Sequence, residues 1–435
     1  MIGQLRLVAF GVCVAACAGE LNVVYEWGSN INLWTGRREH DERNATAAME
    51  DYVPGNNLVH RMRIWDGAMY VAVPRFKRGV PATLCKSHRE PDGGTTLKPF
   101  PTIRMQDVGD CFGVQNAKDI EIDHLGQLWT LDAGEVYDLQ RTADAPDYTC
   151  DPKLLVVNIS SGAVLRSAVV PSSMHTAGRT VLSGLSVDLK TLTAVVADVS
   201  ADNPGFLVYG LRSGVYRKFR CKRLRPADAA ANGYNEALLA ISPIDNMLYF
   251  TTVELDNVFA IPLSVFDVPA TRLLADTYDV SHYANDLGPK ADTVTAMILD
   301  SVGRLYMGMP RAIVSWDTLR GGFDVKQLYA QDDRLQWISS FAFDPDGYLW
   351  IVSSAFRDFV DIGSDGHGPA DMKIFKSHCG ATAFALLTAA GSTGRSPDAV
   401  SSVKTVTAAA PLLHYVFATL AIQITFARRT VANDR

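Results

Sequence analysis

Apolar and polar residues alternate in short runs along this chain, and one arrangement recurs six times: an alternating run, a turn, then a second apolar run, most often opened by Leu and an aromatic residue. The copies are Leu58 to Arg75, Asn116 to Gly134, Thr180 to Ser200, Asn235 to Glu254, Thr293 to Arg311 and Ile338 to Phe356. Recurrence every roughly 45 to 65 residues is the signature of a repeat array. Within a copy the period is that of a strand. Ile120 and Ile122 alternate with Glu121 and Asp123, Gly126 permits a positive-φ turn, and Leu128 and Trp129 open the returning strand. Asp300, Gly303, Leu305 and Tyr306 repeat this, as do Asp344, Gly347, Leu349 and Trp350. The third copy places Lys190 and Thr191 at the turn, the fourth Asp245 and Asn246, and the first shortens it to Trp65, Asp66 and Gly67.

Between copies the chain is long enough for two outer strands per unit. Lys153 to Asn158 with Ala163 to Val170 reads as such a pair, and Gly205 to Leu211 with Val215 to Arg220 as another. Alternating helix and strand patterns, which would signal a parallel α/β sheet, are absent. The expected fold is all-β, a six-bladed β-propeller over residues 20–379.

The two ends change the picture from fold to compartment. Residues 1–18 carry Arg6, an apolar stretch and Ala16-Cys17-Ala18, the pattern of a secretory signal peptide. Five cysteines then remain, Cys85, Cys111, Cys150, Cys221 and Cys379, so that at most two bridges form and one thiol is left over. Asn44 and Asn158 each open an N-glycosylation sequon. Residues 380–407, rich in Ala, Ser, Thr and Gly, read as a flexible linker. Residues 408–427 are long and apolar enough to cross a bilayer, with Arg428 and Arg429 on the cytoplasmic side and a short polar tail, 428–435. Pro411, His414 and Gln423 interrupt that segment, so an amphipathic tail is the other reading. An extracellular protein, secreted or tethered to the cell surface, is expected. A formal net charge of −6 offers no basic surface to nucleic acid.

Several stretches resemble the Yellow and major royal jelly protein family. Val24-Tyr25-Glu26-Trp27 is similar to its start, and Asp51 to Asn57 followed by Val73 to Leu84 is the densest match. Gln127 to Gly134 resembles the family's RLWVLDSG, with Gln for Arg, Thr for Val and Ala for Ser, and Cys150 to Leu154 resembles its CPPKL. The chain departs at Ser315-Trp316, where the family commonly has a cysteine before the tryptophan, and in the third repeat. The resemblance implies a secreted six-bladed propeller and a Cys111–Cys150 disulfide, leaving Cys85 with either Cys221 or Cys379 open. It also implies a role in cuticle, pigment or amine-scavenging biology, with a small aromatic amine or catechol derivative as ligand.

No HExxH, GxSxG, phosphate loop or CxxC occurs in the mature chain, and nothing in it asks for a cofactor or a metal. Any site is then expected in the central channel, which the first run of each copy lines. Those runs supply Asn116, Lys118, Asp119, Glu121, Asn235, Glu236, Thr293, Thr295, Ser339 and Ser340. Asp119 or Glu236 would hold a protonated amine while Trp337 or Phe341 covers its ring. Alternatively, the same carboxylates would move a proton as a dopachrome-type isomerase, for which a raised pKa in a dry pocket is suited. A weaker alternative is a calcium-dependent propeller hydrolase using the ring of oxygen ligands. His60, His124 and His175 read as surface or turn residues, since no partner adjoins them in sequence.

Overall fold

The computed structural model describes residues 19–27, 52–90, 94–137, 139, 150–225, 235–267, 278–324, 327–361 and 371–387. The chain divides into two units, 1–393 and 394–435, and the second lies outside the described residues. So do the expected signal peptide, Asn44 and the apolar segment 408–427.

Each of the six copies forms the inner antiparallel hairpin of its own sheet. The innermost strands are Arg61–Trp65, Ala117–Ile122, Leu182–Asp188, Ala237–Ser242, Ala296–Leu299 and Trp337–Phe343, in blades 1 to 6. Each packs beside the next around the ring, and the sixth packs beside the first. Blade 6 is completed by an N-terminal strand, Asn22–Trp27, paired antiparallel with Met372–His378, so the two ends of the propeller share one sheet. The outer strands fall where the pattern put them, at Lys153–Asn158, Val164–Val169, Gly205–Gly210 and Val215–Arg220. Blade 3 gains a short parallel strand, Tyr278–Asp279, that the pattern did not announce.

Alternation explains where the core sits. In blade 2, Leu128 joins the apolar cluster shared with blade 1, while Trp129 and Leu131 face blade 3. Six such clusters lie between successive blades, one per interface. Both faces of a blade are thus buried, and the second strands read as nearly continuous apolar runs.

The turns have a common chemistry. Asp123 Oδ1 accepts from the backbone N–H of Leu125 and Gln127, and its Oδ2 accepts from Trp129 Nε1 at 2.8 Å. Asp344 does the same for Asp346, Tyr348 and Trp350. Asp300 serves Val302, Arg304 and the Tyr306 hydroxyl. In the third copy the left-handed position falls to Leu192 (φ 52°), not to Lys190 or Thr191, because that turn is one residue longer.

Residues 380–387, expected to begin a flexible linker, instead pack on the propeller. Cys379 and Gly380 donate to Gly347 O, Ser301 N–H donates to Thr382 O while Thr382 N–H donates to the Ser301 hydroxyl, and Phe384 packs against the cluster between blades 4 and 5. Among the described residues, no helix is long and apolar enough to cross a membrane. Cys111 and Cys150 form the disulfide that the resemblance implied. Cys85, Cys221 and Cys379 are separate thiols, so neither further pairing exists.

Candidate functional site

The channel has an upper end, where the innermost strands begin, and a lower end, where they turn back. In blades 2, 3 and 6 the first strand carries a β-bulge near its start, at Lys118, Gly184 and Ser339. A bulge breaks the alternation and re-aims the side chains around it. At Gly184 (φ +73°) a Cβ would stand 2.6 Å from Ala237 O, so only glycine fits.

Below the bulges the channel is crossed by ion pairs. Arg61 and Arg63 of blade 1 occupy the places that Asp119 and Glu121 take in blade 2. Arg61 Nε lies 3.4 Å from Asp119 Oδ1, and its Nη atoms donate to Glu236 of blade 4 and to Ser339 O of blade 6. Arg63 grips Glu121 through two N–H groups, at 2.9 and 2.5 Å. His60 Nε2 lies 3.0 and 3.1 Å from the two Glu236 oxygens. This corrects the reading of His60 as a surface or turn residue: it is fully buried, and its partner is 176 residues away, out of reach of any local pattern. His124 does sit in its turn. His175 lies in the loop before blade 3 with its side chain largely covered.

Burial pushes the His60 imidazole down, more than Glu236 pulls it up. A neutral ring facing a carboxylate through Nε2 must carry its proton there and donate it. Burial alone would raise the Glu236 carboxyl, but the Arg61 charge and then His60 hold it far below the ordinary carboxylate range. Asp119 goes the other way: burial lifts it to about 6 against the pull of Arg61 and Arg63. Above that pH three buried or half-buried carboxylates face two guanidiniums, and the Lys118 ammonium near His60 brings the count to three of each sign.

The upper end is aromatic. Leu58, Phe76, Trp337, Phe356 and Phe359 form one cluster. His60 lies edge-on to Phe76 and 5.7 Å from Phe356, and Trp337 lies 5.2 Å from Phe356. The Lys118 ammonium, half-buried, sits 4.2 Å over the Phe76 ring. The short helix Phe356–Asp361 that supplies two of these rings was not foreseen.

The other expected residues divide by task. Asn116 is engaged by the backbone, accepting from Arg75 N–H and donating to Glu135 O. Thr295 donates to Ile338 O, and Ser340 accepts from Met62 N–H, tying neighbouring blades together. Phe341 is a core side chain between blades 5 and 6. Thr293 is half-exposed at the upper end. Among the described residues, the amide of Asn235 and the indole N–H of Trp337 have no hydrogen-bond partner, although the atoms are buried. Such groups are uncommon in folded proteins. Among the described residues, no group of three or more His, Cys, Asp or Glu is placed to hold a metal ion.

Residues 115–367, more than half the chain, match the family described as Major royal jelly protein. The chain belongs to the major royal jelly protein family. Within it, the chain is similar to Major royal jelly protein 6 of Apis mellifera, 25% identical over 57% of this chain and 57% of that protein. It is also similar to Protein yellow of Drosophila guanche and of Drosophila erecta, 24% and 26% identical over 82% of this chain and 66% and 63% of theirs. The matches thus span less than two thirds of these relatives' own length. The family assignment rests on the propeller, and blades 2 to 6 carry the matched region.

Proposed function

We propose that this Yellow-like protein works outside the cell and captures a small aromatic amine or catechol derivative at the upper end of its channel, in cuticle, pigment or amine-scavenging biology. The observation that carries the reading is the aromatic cluster of Phe76, Trp337 and Phe356 set over the buried carboxylates of Asp119 and Glu236. A protonated amine pairs with Asp119 while its ring packs among the aromatics. Lys118 on Phe76 and Lys77 on Phe359 are side-chain ammoniums already held in this way. Asn235 and Trp337 offer an acceptor and donors to a ligand hydroxyl. The disulfide suits an oxidising compartment. Titrating the protein with serotonin and dopamine by calorimetry tests the reading; silence with both amines at millimolar concentration sinks it.

The second reading, a dopachrome-type isomerase, draws on the His60–Glu236 pair. An imidazole oriented by a carboxylate in a dry site is an arrangement that moves protons. Glu236 itself, held ionised, is a weak base, so that role falls to His60. Dopachrome loss unchanged by His60→Gln would remove this reading while leaving capture intact.

A further inference from the structure

At the lower end the channel opens into a cavity of about 110 Å³, on the side opposite the aromatic cluster. Its walls are the closing residues of the innermost strands, among them Leu239, Ile241, Met297 and Phe343. Its floor is the Arg63–Glu121 pair. Its rim is completed by the chain's own segment after blade 6, which brings Phe384 and Leu386 across the mouth. Apolar cavities of about 150 Å³ accept a benzene ring, so a single ring is the right size for this partly open space.

The floor selects charge. Arg63 and Glu121 are the two charged residues lining the cavity, and they neutralise each other. The remaining Arg63 contacts go to Met62 O and Phe341 O through Nη1, so that among the described residues one Nη2 hydrogen and lone pairs of Glu121 are left over in this pair, which lines the cavity. A hydroxyl, which both donates and accepts, meets that pair of needs. A carboxylate would face Glu121, and an ammonium would face Arg63.

We propose that the lower mouth is a second binding site, independent of the upper one, for a small uncharged phenol whose hydroxyl meets the Arg63–Glu121 pair and whose ring lies among Leu239, Met297 and Phe384. The test is calorimetry on the intact protein with 4-methylphenol, benzoate and benzylamine. 4-Methylphenol is expected to bind at least tenfold more tightly than either charged ring. Leu239→Trp, which fills the cavity, should weaken it at least tenfold, and Phe384→Ala, at the partly buried rim, about threefold or more, with the melting temperature of each variant confirming that it is folded. Trp337→Ala at the other end should leave it unchanged. Glu121→Gln gives the floor a positive charge and should turn the preference toward benzoate. No binding of 4-methylphenol at millimolar concentration, binding indifferent to both Leu239→Trp and Phe384→Ala, or a benzylamine affinity equal to that of the phenol would overturn the proposal.

Discussion

Asp119 is held between two blades, accepting from Ile120 and Leu185 N–H, and burial lifts its carboxyl from 3.8 to about 6. The folded protein therefore binds this proton more tightly than the unfolded chain does. The ionised carboxylate lowers stability above about pH 6, and that loss is relieved as the pH falls toward 4. Asp119→Asn keeps an acceptor for Leu185 and removes the charge. Urea unfolding should show the variant gaining on the parent by on the order of 2 kcal/mol between pH 4 and pH 8; parallel pH profiles would refute the assignment. Glu236 has the opposite character. Glu236→Ala deprives the buried Arg61 of its closest counter-ion and is expected to cost about 3 kcal/mol, measured by the same unfolding curves at pH 7.

At the scale of the element, the repeated turn is an aspartate device. One carboxylate oxygen caps two backbone N–H groups and the other takes the polar atom of an aromatic ring six residues on. Asp123→Ala leaves the buried Trp129 indole unpaired and should destabilise by about 2 to 3 kcal/mol, whereas Asp346→Ala, exposed in the equivalent loop of blade 6, should change stability by less than about 0.5 kcal/mol. Thermal melts of the two variants decide it. This device is why the inner hairpins were legible from the chain alone: the Asp, Gly and aromatic positions are local and recur. The outer strands around Tyr278–Asp279 have no such marker. The site was legible only in part. Alternation placed Asp119 and Glu236 in the channel, but Arg61 and Arg63, which hold them, were passed over although they stand at the equivalent positions of the first copy. Charged residues at alternate places in an otherwise apolar inner strand were the signal. His60 had no local signal, because its carboxylate comes from blade 4.

For the molecule as a whole, closure and channel are linked. The ring is sealed where Asn22–Trp27 pairs with Met372–His378, and Trp27 packs into the cluster between blades 6 and 1. Deleting residues 19–27 bares that edge and empties the Trp27 slot, so the melting temperature should fall by about 10 °C or more; an unchanged melt would mean that the ring is closed by other contacts. With the ring closed, the ion pairs from blades 1, 2 and 4 meet at one axis, and Asp119 carries its negative charge there above about pH 6. The most direct test of the account is a calorimetric titration of dopamine, whose ammonium stays charged throughout, into the protein and its Asp119→Asn variant from pH 5 to pH 8. The account predicts binding at pH 8 that weakens about tenfold as the parent is taken through pH 6, and binding by the variant that is weak at every pH. Equal affinity at pH 5 and pH 8, or equal affinity in the two proteins at pH 8, would contradict it.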